Sequence, residues 1–153
     1  MRPGFSAWRR WIDRRMLPGL ACPGVYVLCV SDVPIADKPF GWRREIIYVG
    51  MTNSVGGLAS RLRQFDDTIA RRRTSHGGAE RVRFKYRNYA HMIKKLFVSV
   101  CPIACDVTSK FPRDLRLMGK VAELEYVCLA RYMRKFGRLP EFNDKSRSPK
   151  WSP

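Results

Sequence analysis

Apolar and polar positions change period several times along this 153-residue chain. Gly24-Val25-Tyr26-Val27-Leu28-Cys29-Val30 is an unbroken run of mostly β-branched and apolar residues behind Pro23, which predicts a buried strand. Glu45-Ile46-Ile47-Tyr48-Val49, closed by Gly50, predicts a second strand, and Leu96 to Cys101, ended by Pro102, a third. Residues 31–44 between the first two carry Pro34, Pro39 and Gly41 and read as a loop too long for a hairpin, a length that often accompanies function. From Val55 the period lengthens: Leu58, Leu62, Phe65 and Ile69 define one face of a helix, which runs into the basic, glycine-containing turn from Arg71 to Gly78. A second helix is expected within Ala79 to Met92, and a long last one from about Asp114 to Phe136, stopped by Gly137 and Pro140. The organisation is thus a basic N-terminal extension over 1–22, one domain over 23–144 and a loose tail over 145–153, without internal repeats.

The last helix holds the most informative position. At 100° per residue Val121, Leu124, Cys128, Leu129, Tyr132 and Phe136 form one stripe; Glu125 falls inside it, about 40° from Val121, whereas Glu123 lies at about 200°, on the far side. An ionised carboxylate buried without a partner costs several kcal/mol, so Glu125 should bind a metal or meet a buried arginine; both fit the pattern.

Charge narrows the partners. Thirty Lys and Arg against thirteen Asp and Glu give a net charge of +17, which favours polyanions, nucleic acid first. Residues 61–95 alone hold Arg61, Arg63, Arg71, Arg72, Arg73, Arg81, Arg83, Lys85, Arg87, Lys94 and Lys95 against Asp66, Asp67 and Glu80. The aromatics in Phe84-Lys85-Tyr86-Arg87-Asn88-Tyr89 suit either stacking on bases or, more simply, packing. Apolar residues make up 45% of the chain, enough for a core, yet the longest apolar run is far short of a bilayer span. Trp8-Arg9-Arg10-Trp11 with Ile12 and Met16 offers a minor alternative, a basic amphipathic helix on an anionic membrane. Cys22, Cys29, Cys101, Cys105 and Cys128 make an odd set with no Cys-x-x-Cys pair, which fits free thiols in a reducing cytoplasm better than zinc held by Cys101, Cys105 and His76 or His91.

With the elements placed, Gly24-Val25-Tyr26, Tyr48-Val49-Gly50, Arg61, Leu124-Glu125-Tyr126 and Pro140-Glu141-Phe142-Asn143 fall in an order that resembles the GIY-YIG nuclease family. The resemblance covers residues 24–143 and implies an α/β (α+β) fold, a small three-stranded antiparallel sheet flanked by helices. It further implies one divalent ion and hydrolysis of DNA phosphodiester bonds. The residue chemistry suits that reaction. Glu125 can give one hard oxygen to Mg²⁺ or Mn²⁺, Arg61 a guanidinium to the scissile phosphate, and Tyr26 and Tyr48 can orient the attacking water, one of them taking its proton. Gly24 and Gly50 belong to the tripeptides, and Asn143 is expected to tie the chain end to the sheet.

Departures from the family pattern add expectations. Phe65 stands four residues after the arginine, where many members carry His or Tyr, so His76 is taken as the substitute for proton transfer, with a phosphate-contacting or exposed loop histidine as the plainer reading. Met51-Thr52-Asn53 stands where the family often has a lysine, and the interval between the tripeptides is long, as in restriction-type members; Arg43, Arg44 and Lys38 make that loop a candidate DNA contact. Arg63, Arg71, Arg72, Arg73, Arg81, Arg83 and Lys85 complete the expected DNA-binding set. The chain is therefore read as a metal-dependent endonuclease of DNA, with no membrane partner and a possible homodimer. The rivals are a catalytically silent nucleic-acid-binding module on the same fold and a structured-RNA or ribosome-associated binding protein.

Overall fold

The computed structural model describes residues 4–72 and 76–150. Strands β2 (Gly24–Val30), β3 (Ile46–Thr52) and β4 (Leu96–Pro102) form at the predicted apolar runs, all antiparallel, except that Gly50 does not close β3, which continues through it to Thr52. The sheet has four strands rather than three: β1 (Arg9–Arg10) pairs with β4, giving the order β1-β4-β2-β3. Two arginines carry no strand signature, and this pairing is set by their neighbours. Trp8 and Trp11 are both buried, one on each side of the sheet, and the two-residue strand carries the chain past the sheet edge between them. Burial of both indoles removes the amphipathic membrane helix as a reading of this segment. Trp11–Met16 is a 3-10 helix, and the N-terminal segment is part of the fold.

Helix α1 (Gly57–Ile69) buries Leu58, Leu62, Phe65 and Ile69 as its periodicity requires. The single helix expected over Ala79 to Met92 is two, α2 (Gly77–Lys85) and α3 (Tyr89–Met92), because Tyr86 leaves helical geometry and the Asn88 side chain accepts the His91 N–H at 3.0 Å to start again. α1 and α2 cover the sheet face that carries Tyr26, Leu28, Val98 and Val100. Helix α4 (Pro112–Phe136) covers the other face through Val121, Cys128 and Tyr132, and stops at Gly137, whose φ of 72° suits glycine. Loop 31–44 folds onto that same side, with Ile35 buried and Phe40 and Trp42 packed around it. The expected loose tail is tied in as far as it is described: Ser148 is buried and its carbonyl accepts from Arg81. The five cysteines are free, three of them buried, and no helix among the described residues is long and apolar enough to cross a membrane.

Candidate active site

The pleat brings the two tripeptides together. Tyr26 of β2 lies opposite Gly50 of β3, and Tyr48, two residues before Gly50, points to the same face. The rings stand 6.0 Å apart. Gly50 is required by this approach: a Cβ there would sit 2.4 Å from Tyr26 Cζ and 2.8 Å from Tyr48 Cε1. On its other side the Tyr48 ring packs against α2 at Gly78, where a Cβ would come within 2.6 Å of it. Gly24 serves close pairing instead, since a side chain would strike the Cys101 carbonyl oxygen of β4.

His76 is neither an exposed loop residue nor placed as a free proton acceptor. It is 1% exposed and caps α2, its Nδ1 accepting the Ala79 N–H at 3.1 Å. Burial, with the Arg61 charge adding, pushes its pKa down to about 3, so the ring is neutral at ordinary pH. With Nδ1 occupied as acceptor, the one ring proton resides on Nε2 and is donated to Tyr26 Oη, 2.7 Å away. His76 also fills the space over Phe65, ring centroids 5.0 Å apart, which accounts for an apolar residue at that helix position.

Tyr26 is fully buried, and burial raises its phenol well above the ordinary range; the neighbouring Tyr48 adds to this, while Arg61 opposes it by its charge and as a hydrogen-bond donor. Tyr48 is partly exposed. Its phenol is raised by burial and then by the Glu125 charge, and lowered by Arg61 and by a hydrogen bond from Tyr26. Arg61 is half-buried and held by Gln64 Oε1 at 3.2 Å, but its Nε is buried with no hydrogen-bond partner among the described residues. Glu125 is also half-buried, and among the described residues no hydrogen bond or ion pair engages its carboxylate; burial raises its pKa and Arg61 lowers it. Glu123 is exposed, as its helical position requires. Among the described residues no group of three or more His, Cys, Asp or Glu is arranged to hold a metal; Glu125 is the carboxylate whose charge acts on both tyrosines, and a single hard oxygen of this kind is compatible with a mostly hydrated cation.

Asn143 does what its position suggested. Its Oδ1 accepts the Val49 N–H and its Nδ2 donates to the Val49 carbonyl, both at 2.8 Å, closing the outer edge of β3 beside Gly50.

The expected DNA-binding residues do not form one free basic surface. Arg63 and Arg71 are exposed, but Arg83 is buried. Arg72 pairs with Asp66 at 2.6 Å and Asp67 at 3.0 Å, Lys85 with Glu141 at 2.8 Å, and Arg43 with Glu45 at 3.3 Å. Arg81 donates to Ser148, Arg44 lies over the Phe136 ring, and Arg73 falls outside the described residues. Tyr86 packs on Phe142, and Tyr89 donates to Asp66, so these aromatics serve packing and a buried polar network. Periodicity gave no hint of Asp66. It is 5% exposed and collects Trp11 Nε1 at 2.7 Å, Tyr89 Oη at 2.8 Å, Arg14 at 3.2 Å and Arg72, tying the N-terminal segment to α1 and α3.

Comparison of the chain with protein-family models, with curated proteins and with solved structures finds no match.

Proposed function

We propose that the protein is a metal-dependent endonuclease that hydrolyses DNA phosphodiester bonds at a single site of GIY-YIG type. The observation that carries this reading is a pair of opposite charges at one place that do not pair with each other: among the described residues Arg61 has a buried Nε donor without a partner and Glu125 a carboxylate without a hydrogen bond or ion pair, each acting on Tyr48. An ion pair would have satisfied both groups. Left apart, they suit a ligand with a phosphate for the arginine and a cation for the carboxylate.

In this reading Arg61 binds the scissile phosphate and offsets the charge that builds on its oxygens in the transition state. Tyr48, the partly exposed tyrosine of the two, orients the attacking water, and Tyr26 beside it hydrogen-bonds Tyr48 and is itself held by the His76 Nε2–H. Glu125 would hold Mg²⁺ or Mn²⁺, which when bound supplies Lewis-acid polarisation of a phosphate oxygen. The test is incubation of supercoiled plasmid with the protein and Mg²⁺ or Mn²⁺, with EDTA as control. Nicking that disappears with EDTA and in Glu125→Gln, while Glu123→Gln still cuts, is expected; DNA binding by Glu125→Gln should be intact or stronger. Binding without cleavage under all metal conditions would select the catalytically silent module instead.

A further inference from the structure

A cavity of about 520 Å³ opens on the side of α1 away from Arg61, lined by Arg14, Arg15 and Arg63 with Ser60, over a floor of Leu20 and Leu62. We propose that it is a second phosphate-binding site, which takes a backbone phosphate of the nucleic acid at a distance from the scissile one. The proposal rests on nucleic acid being the substrate. The donors are side chains, not the helix end: the Gly57, Leu58 and Ala59 N–H groups are already accepted by the Ser54, Cys22 and Leu20 carbonyls. Arg14 is fixed in advance, its Nη1 on the Trp11 carbonyl, its Nη2 on Asp66 and its guanidinium over the Trp11 ring at 4.8 Å. Arg15 and Arg63 are exposed, and among the described residues neither has a carboxylate partner. Three guanidinium groups with one half-shared carboxylate leave a positive cavity whose fork-shaped donors match phosphate oxygens, and the apolar floor suits a deoxyribose. Arg63 is two residues from Arg61, so one helix turn presents cations on both flanks, and a strand crossing it can meet both.

The test uses the full chain in EDTA, so that cutting does not intervene. Inorganic phosphate is titrated while the Ala59 and Ser60 amides are followed by NMR, and a short DNA duplex is then added. Saturable shifts that the duplex displaces are expected. In Arg15→Gln/Arg63→Gln the phosphate affinity should fall at least about tenfold, and the slope of log K against log[salt] for duplex binding should flatten by about 2 units. Silent amides, or an unchanged salt slope, would overturn the site; phosphate that stays bound when the duplex binds would overturn the nucleic-acid assignment. Plasmid cleavage by the unaltered chain reports on the nuclease reading separately: an active enzyme with a silent cavity loses only this proposal, and an inactive protein whose cavity phosphate is displaced by duplex loses only the catalytic one.

Discussion

Replacing His76 by Asn separates its capping role from its titration. Asn can still accept the Ala79 N–H and donate an amide proton toward Tyr26, but it cannot be protonated. In the native protein the His76 pKa is near 3, against about 6.5 in the unfolded chain, because the ring is buried and Arg61 adds positive charge. A base whose folded pKa is depressed contributes full stability above its unfolded pKa and loses it as pH falls, since the unfolded chain takes up a proton that the folded chain refuses. The window is therefore from about pH 6.5 down to about 3, with a slope approaching 1.4 kcal/mol per pH unit. Between pH 7.5 and pH 5 the loss attributable to His76 is about 2 kcal/mol. Carboxylates titrate in the lower part of this window as well, so the quantity to measure is the difference between wild type and His76→Asn in urea unfolding at pH 7.5, 6 and 5. The wild-type advantage should shrink, and can reverse, by about 2 kcal/mol over that range. A difference constant to within about 0.5 kcal/mol would refute the depressed pKa of His76.

Arg61→Ala should lose about 10² to 10³ in single-turnover rate with a smaller loss in DNA affinity, since the arginine acts on charge developing in the transition state; equal losses in both quantities would assign it to binding alone. Asn143→Ala removes both hydrogen bonds to Val49 at the β3 edge and should cost about 1–3 kcal/mol in denaturant unfolding, and an unchanged midpoint would mean that solvent replaces them without loss. Asp66→Ala strands the Trp11 and Tyr89 donors and leaves Arg14 and Arg72 without their shared carboxylate. A loss of about 3 kcal/mol, with increased exposure of Trp11 in fluorescence, is expected, and a full-strength fold would show that the network is solvated.

What the sequence disclosed divides along physical lines. Elements marked by an apolar run or by apolar spacing were legible: β2, β3 and β4 from the runs, α1 and α4 from the helical period; Glu125, expected inside the apolar stripe of α4, is half-buried. β1 was not, because its two arginines are held in the sheet by the tryptophans on either side of them. The break between α2 and α3 was missed because the side chain of Asn88 competes with the backbone for the His91 N–H, a local choice that apolar spacing does not record.

Charge was the least transferable reading. A run of arginines in one dimension looks like a single binding surface, yet Arg72, Arg83 and Lys85 are drawn into ion pairs or the interior, and Arg63 faces away from Arg61 into a cavity shared with Arg14 and Arg15. The reason is geometric. Neighbouring residues on a helix diverge by 100°, so basic residues adjacent in sequence are distributed around it, and those that share a surface come from distant parts of the chain. Arg14 and Arg15 lie 48 or more positions from Arg63, and they reach it because Asp66 gathers Arg14 and Trp11 against α1. One buried carboxylate thereby fixes Arg14 beside α1, and the basic N-terminal segment becomes part of a surface whose other residues are on the helix that carries Arg61.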